Sequence, residues 1–309
     1  MAESRIAVYG AIAANIAIAI MKFVVAAITG SSAMLSEGIH SLVDTGNGVL
    51  LLVGIRLSQR KPTAEHPFGH GKEIYFWSLI VAVLIFGLGG GVSAYEGILH
   101  ILNPKPLRDA FWSYIVLLGA ALFEGASFVV ALRQFMRDRI DPSLSFWKSL
   151  PIAKDPTTYT VLAEDGAALA GLAAAAIGIF ASDQLGMPVL DGAASVFIGV
   201  LLAAVAVLLM RQARGLLIGE GIRPETAEKI RELALATTGI KTVARPLSMY
   251  IGPDEILLTL DVGFDTAFSA DDVAKAVRQL ENAIRERYPK MKRIYIEARS
   301  TAEAAQLTS

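Results

Sequence analysis

Six apolar stretches, at about residues 6–28, 33–57, 73–101, 111–135, 157–182 and 189–211, are each long enough to cross a bilayer, which takes roughly 20 apolar residues per helix. A chain of 309 residues that is 54% hydrophobic and only 18% charged is too apolar for an ordinary water-soluble domain, so these stretches are read as membrane helices. The first run, from Ile6, has no small-residue cleavage site at its end and reads as a retained span rather than a signal peptide. There is no cysteine, which excludes a disulfide framework, a thiolate metal site and a thiol nucleophile. Any metal must be held by nitrogen and oxygen.

The basic residues give the orientation. Arg5, Arg56, Arg60, Lys61, Lys72, Arg133, Arg137, Arg139, Lys148, Lys154, Arg211 and Arg214 fall on one side of the spans, against Lys105 and Arg108 on the other. The positive-inside rule therefore puts both termini in the cytoplasm. After Arg214 the pattern changes. "RPETAEKIRELALATT" reads as an amphipathic helix with Pro224 in its first turn, and "DEILLTLDVGFD" alternates as a half-buried strand does. "SADDVAKAVRQLENAIRERY" is a helix N-capped by Ser269 with Asp272 three residues on, and "KRIYIEARS" is a further strand. With "TVARPLSMYIG" as the remaining strand, the order is α-β-β-α-β, a small α+β domain. The expected organisation is a membrane domain over 1–214, the α+β domain over 215–300 and a frayed tail over 301–309.

The second span carries the chemistry. Residues i and i+4 share a helix face, so His40 and Asp44 point the same way, and Glu37 and Asn47 extend that stripe by a turn in each direction. An ionised side chain at mid-bilayer costs roughly 2.5–3.5 kcal/mol, so such groups face the bundle and find a partner. A divalent cation is the most economical one, since neutral imidazole and carboxylate suit zinc, manganese, iron or cobalt. The competing reading is an interhelical hydrogen-bonded pair without metal. In the fifth span Glu164 and Asp165 are adjacent and diverge by about 100°, so one is a ligand candidate and the other pairs with a neighbouring helix, faces water or shuttles protons. Glu124 in the fourth span is a further acid, read as a proton relay or packing group, and Lys22 in the first span neutralises one of these acids. His100 reads as an ordinary interfacial residue, "GLGGG" at 87–91 as a close-packing segment, and Asp191 as an N-terminal cap.

The segment "GSSAMLSEGIHSLVDTGNGVLLLVGIRLSQRKPTAEHPFGHGKEIYFWSL" strongly resembles the second and third spans of the cation diffusion facilitator family, zinc transporters that export divalent metals in exchange for protons. Its HxxxD, His40 and Asp44, matches the family's second-span transport motif, and "HPFGHGK" matches the following signature. The resemblance implies six transmembrane helices, a ferredoxin-like cytoplasmic C-terminal domain and a homodimer. Relatives commonly repeat HxxxD on the fifth span, whereas "LAEDGAALAG" resembles the subgroup of the zinc transporter nine type and its bacterial relatives. If Asp165 fills the family's aspartate position, Val161 stands at the histidine position; if Glu164 substitutes, its i+4 partner is Ala168. Three side-chain ligands result, completed by water, Asn47 or Glu37, and the oxygen-rich set weakens preference for zinc over manganese or iron.

The resemblance also implies an accessory metal site at His66 and His70, where Thr63 stands at the family's acid position and Glu65 is the available substitute; local loop packing is the alternative. The C-terminal domain has none of the four histidines, at 40, 66, 70 and 100, so it is expected to dimerise without a high-affinity metal cluster, its acids Asp261, Asp265 and Glu297 being solvated. A Lys72–Glu220 salt bridge is expected to couple soluble and membrane parts. The expected function is metal/proton antiport across a bacterial inner membrane, with divalent ions and protons as partners, no prosthetic group and no nucleic acid. The rivals are a membrane metal sensor that does not transport and a carrier of organic cations. No nucleophile-base pair or nucleotide motif suggests an enzyme.

Overall fold

The computed structural model describes residues 2–137 and 156–299; the expected loop at 138–155, with Arg139, Lys148 and Lys154, and the tail from 300 lie outside the described residues. The chain divides into two compact units, 1–56 with 74–214 and 57–73 with the chain from 215 onward.

The first unit is helical because a long apolar run can satisfy its backbone in hydrocarbon only by hydrogen bonding within itself. Its helices are α1 (Ala2–Thr29), α2 (Ser32–Ser58), α3 (Glu73–Leu102), α4 (Phe111–Arg137), α5 (Pro156–Leu185) and α6 (Val189–Ile218). The last five contain windows long and apolar enough to cross a membrane among the described residues, and Asn15–Thr29 of α1 forms a shorter apolar stretch. Leu118, Leu122, Ile177, Phe180 and Val200 are each more than half exposed while Lys22, Glu37 and Asn47 are fully buried. That inversion of the usual soluble pattern is what lipid as solvent requires.

Gly30 turns the chain between α1 and α2 at φ 74°, a conformation that side chains with a Cβ rarely adopt. The "GLGGG" segment lies in a π-helical stretch of α3, Ile85–Val92. A Cβ on Gly97 would stand 2.6 Å from the Val196 nitrogen, and one on Gly199 2.5 Å from the Ala94 nitrogen, so α3 and α6 pack backbone to backbone.

The second unit holds α7 (Pro224–Leu235), β1 (Ile240–Val243), β2 (Leu247–Gly252), β3 (Glu255–Phe264), α8 (Ala270–Arg287) and β4 (Arg293–Arg299). The strand expected at "TVARPLSMYIG" is two strands. β1 and β2 both run antiparallel to β3, at opposite ends of it, and β4 pairs with β3 in parallel. The break falls at Ala244–Pro246, where Pro246 has no N–H to give a ladder. Alternate residues of β3, Ile256, Leu258, Leu260 and Val262, are buried with Ile230 and Ala234 of α7 and Leu280 and Ile284 of α8. The Ser269 cap forms with Asp272 as the spacing predicts, each side chain accepting from the other's backbone N–H.

In the same unit the 57–73 segment packs on the sheet. The Arg293 guanidinium lies 5.2 Å over the Phe68 ring, and a Cβ on Gly71 would meet the Ile251 carbonyl oxygen at 2.5 Å. Lys72 Nζ donates to the Leu217 carbonyl at 3.3 Å and lies 3.4 Å from Met249 Sδ. Asp265 receives Lys241 at 3.2 Å, and Arg299 stands between Asp261 at 3.6 Å and Glu297 at 3.0 Å.

Candidate functional site

The polar stripe of α2 faces inward. His40 is 2% exposed, and its Nε2 lies 3.4 Å from Asp44 Oδ2 without hydrogen-bond alignment. Four polar atoms of the stripe are buried without a hydrogen-bond partner: Glu37 Oε1, His40 Nε2, Asp44 Oδ1 and Asn47 Oδ1. Buried polar atoms are normally satisfied, and the imidazole and carboxylate of His40 and Asp44 stand a turn apart on one helix face with an open position on each.

The flanking residues are engaged with other helices. Asn47 Nδ2 donates to Glu164 Oε1 of α5 at 2.9 Å, leaving Asn47 Oδ1 unpartnered. Ser127 of α4 donates to Asp165 Oδ2 at 2.7 Å. The two adjacent acids thus turn towards different helices, Glu164 to α2 and Asp165 to α4, as their angular separation on a helix requires. Glu124, 8% exposed on α4, lies within electrostatic range of Asp44, His40 and Asp165. Among the described residues no three His, Asp or Glu side chains converge closely enough to grip one ion. His40 and Asp44 stand together on α2, while Glu164 and Asp165 of α5 are hydrogen-bonded to Asn47 and Ser127.

Glu37 points elsewhere. Its Oε2 receives the Lys22 ammonium at 2.9 Å, and the same ammonium donates to Ser41 Oγ at 2.8 Å. Sequence reasoning anticipated a neutralising role for Lys22 but not its partner, which lies on α2 rather than on α4 or α5. A lone lysine in an apolar span demands an acid, and Glu37 is among the acids that could meet it.

Two further expectations need correction. His100 is buried rather than interfacial, with Nε2 3.8 Å from Asp191 Oδ2, because α3 and α6 pack tightly there. Asp191 does cap a helix N-terminus, but that of α2: it accepts from the backbone N–H groups of Ser32 and Ala33 and from the hydroxyls of Ser31 and Ser32. Sequence reasoning also missed the serine ladder of Ser36, Ser195 and the Ser93 carbonyl, with contacts of 2.6 and 2.9 Å. Single serines in apolar spans give no signal of which helix they meet.

In the second unit the His66 and His70 rings stand with centroids 4.6 Å apart, and His70 Nδ1 is buried without a partner. Thr63 exchanges hydrogen bonds with the His66 backbone, closing the turn, and Glu65 is exposed.

Residues 8–218 match the family model described as the cation efflux transmembrane domain. The chain belongs to the cation efflux family. It is a multi-pass membrane protein. It is 35% identical over 77% of its length to the mitochondrial proton-coupled zinc antiporter SLC30A9 of Xenopus laevis, covering 42% of that protein. It is 32% identical over 85% of its length to metal tolerance protein C4 of Arabidopsis thaliana, covering 58% of it. It is 29% identical to the magnetosome protein MamM of Paramagnetospirillum magneticum, over 86% of this chain and 80% of that one. The chain therefore spans less than half the length of the zinc antiporter it matches.

Proposed function

We propose that this chain exports divalent metal cations, zinc foremost, by exchange with protons. The supporting observation is the buried pair of unpartnered atoms, His40 Nε2 and Asp44 Oδ1, inside a membrane unit of matching family. Neutral imidazole and ionised carboxylate are zinc ligands whereas imidazolium and carboxylic acid are not, so cation and protons compete for the same atoms. Glu164 and Asp165 supply the remaining oxygens from α5 once that helix closes on α2. Their hydrogen bonds to Asn47 and Ser127 hold them ready in the meantime. Such a set, with one nitrogen and several oxygens, also admits manganese, iron and cobalt.

Alternating access follows if α2 and α5 move against each other around this point, exposing it first to one side and then to the other. Cytoplasmic termini are supported by the lysine and arginine asymmetry. The α+β domain serves as the cytoplasmic dimerisation and regulatory part. His66 and His70 are candidates for an accessory metal position.

Purified protein in vesicles with an acidic lumen tests the reading. Zinc and manganese uptake driven by proton exit is expected, lost in the Glu164→Ala or Asp165→Ala variant, whichever removes a ligand. Absence of any divalent flux from folded protein would favour a metal sensor, and flux of organic cations alone would favour the third reading.

A further inference from the structure

We infer that Lys22 is a positioning residue that withholds Glu37 from the transported cation, acting as a tethered cation of the protein's own. The inference rests on the transport reading and extends it to residues outside the His40–Asp44 pair.

Lys22 is fully buried in α1. Its ammonium has three hydrogens, and two of them are spent on α2, on Glu37 Oε2 at 2.9 Å and Ser41 Oγ at 2.8 Å. Ser41 is the residue next to His40, so the lysine fixes the turn of α2 that carries the imidazole. Glu37 is also fully buried, and its free Oε1 is boxed against α5 at Gly171, where a Cβ would stand 2.6 Å away. A glycine there lets the carboxylate lie on the helix backbone. Glu37 is therefore confined between Lys22 of α1 and the α5 backbone at Gly171 while standing one turn from His40 on the same face.

The charge pattern explains why such a clamp is useful. Asp44, Glu124 and Asp165 lie within electrostatic range of His40 and of one another. Another unpaired carboxylate beside them would bind a divalent ion more tightly and release it more slowly. Lys22 cancels that charge permanently, since its tether cannot leave with the cargo. Breaking a buried pair by removing one partner is strongly unfavourable, whereas replacing both partners by neutral groups of similar volume often is not.

The test is a double-mutant cycle in reconstituted protein. Lys22→Met bares Glu37, so the KM for zinc falls and turnover drops by about tenfold or more. The Lys22→Met, Glu37→Gln double variant recovers turnover and KM to within about threefold of the parent, with the same number of protons exchanged per zinc. Equilibrium zinc binding to the solubilised protein gives a second readout that needs no transport: tighter in the single variant, unchanged in the double. Should Lys22→Met fail to fold, the zinc affinity of the double variant decides: parent-like binding supports the assignment, and weaker binding, the mark of Glu37 as a ligand, overturns it. A folded double variant that stays slow, a changed proton count, or a Lys22→Met protein identical to the parent in flux and binding overturns it. Lack of flux in the parent contradicts the transport reading instead, and the binding measurement then decides the role of Lys22 by itself.

Discussion

The carboxylate of Asp191, near the start of α6, accepts a 2.6 Å hydrogen bond from the backbone N–H of Ser32, the first residue of α2. The same carboxylate takes both neighbouring serine hydroxyls, at 2.6 and 2.9 Å, and reaches the Ala33 N–H at 3.4 Å. A helix begins with unpaired N–H groups, and in a membrane unit water is not at hand to meet them. One buried acid from another helix does so here, and it also brings negative charge to the positive end of the α2 dipole.

Asp191→Ala should therefore destabilise the membrane unit by about 1–3 kcal/mol for the donors left bare, and Ser32→Ala by less, because the backbone bond survives. Thermal unfolding in detergent measures both. Equal stability of Asp191→Ala and parent would mean that α2 is capped in some other way.

The backbone contact between α3 and α6 makes a sharper contrast. A methyl at Gly199 would lie 2.5 Å from the Ala94 nitrogen and 2.8 Å from the Gly90 carbonyl, neither of which can rotate aside. Gly199→Ala should force the helices apart and cost about 1–3 kcal/mol. Gly119→Ala, with nothing within 4 Å of the new methyl, should be neutral or stabilising by up to about 1 kcal/mol through helix propensity. The two thermal midpoints, compared in one detergent, check the pair.

The α8 cap gives the α+β unit an acid-sensitive point. Hydrogen bonds from the Ser269 hydroxyl and N–H hold the Asp272 carboxyl below its ordinary value. A depressed folded-state pKa contributes stability above the unfolded value of about 3.9, and that contribution is lost as pH falls through the lower folded value. Hydrogen exchange at the first turn of α8 in the whole protein should accelerate on acidification below about pH 4 relative to the rest of the helix. Ser269→Ala should flatten that dependence; an unchanged profile would remove the cap from the explanation.

Most of the helical framework could be read from the chain alone, because hydrocarbon permits only long unbroken helices and the pattern is correspondingly loud. His40 and Asp44 were legible for the same kind of reason, since a four-residue spacing fixes a shared face without any tertiary knowledge. The divergence of Glu164 and Asp165 follows from the 100° step, though their partners Asn47 and Ser127 do not. Pairings between helices depend on the rotation of each about its axis, which periodicity in a uniformly apolar span leaves open. Hence Lys22 could be expected to find an acid but not Glu37 in particular, and Asp191 could be expected to cap but not to cap α2. In the α+β unit Pro246 was visible, yet only the two-strand pairing along β3 reveals that it divides one strand into two.

In the proposed mechanism, cation and proton exchange at His40 and Asp44. Its most direct test is simultaneous measurement of zinc uptake and lumenal pH in acid-loaded vesicles, comparing the parent with Asp44→Ala, a variant expected to fold. Zinc should enter and protons leave in a fixed ratio, both abolished by the substitution. Zinc uptake that persists in Asp44→Ala, or that proceeds in the parent with no movement of protons, would contradict it.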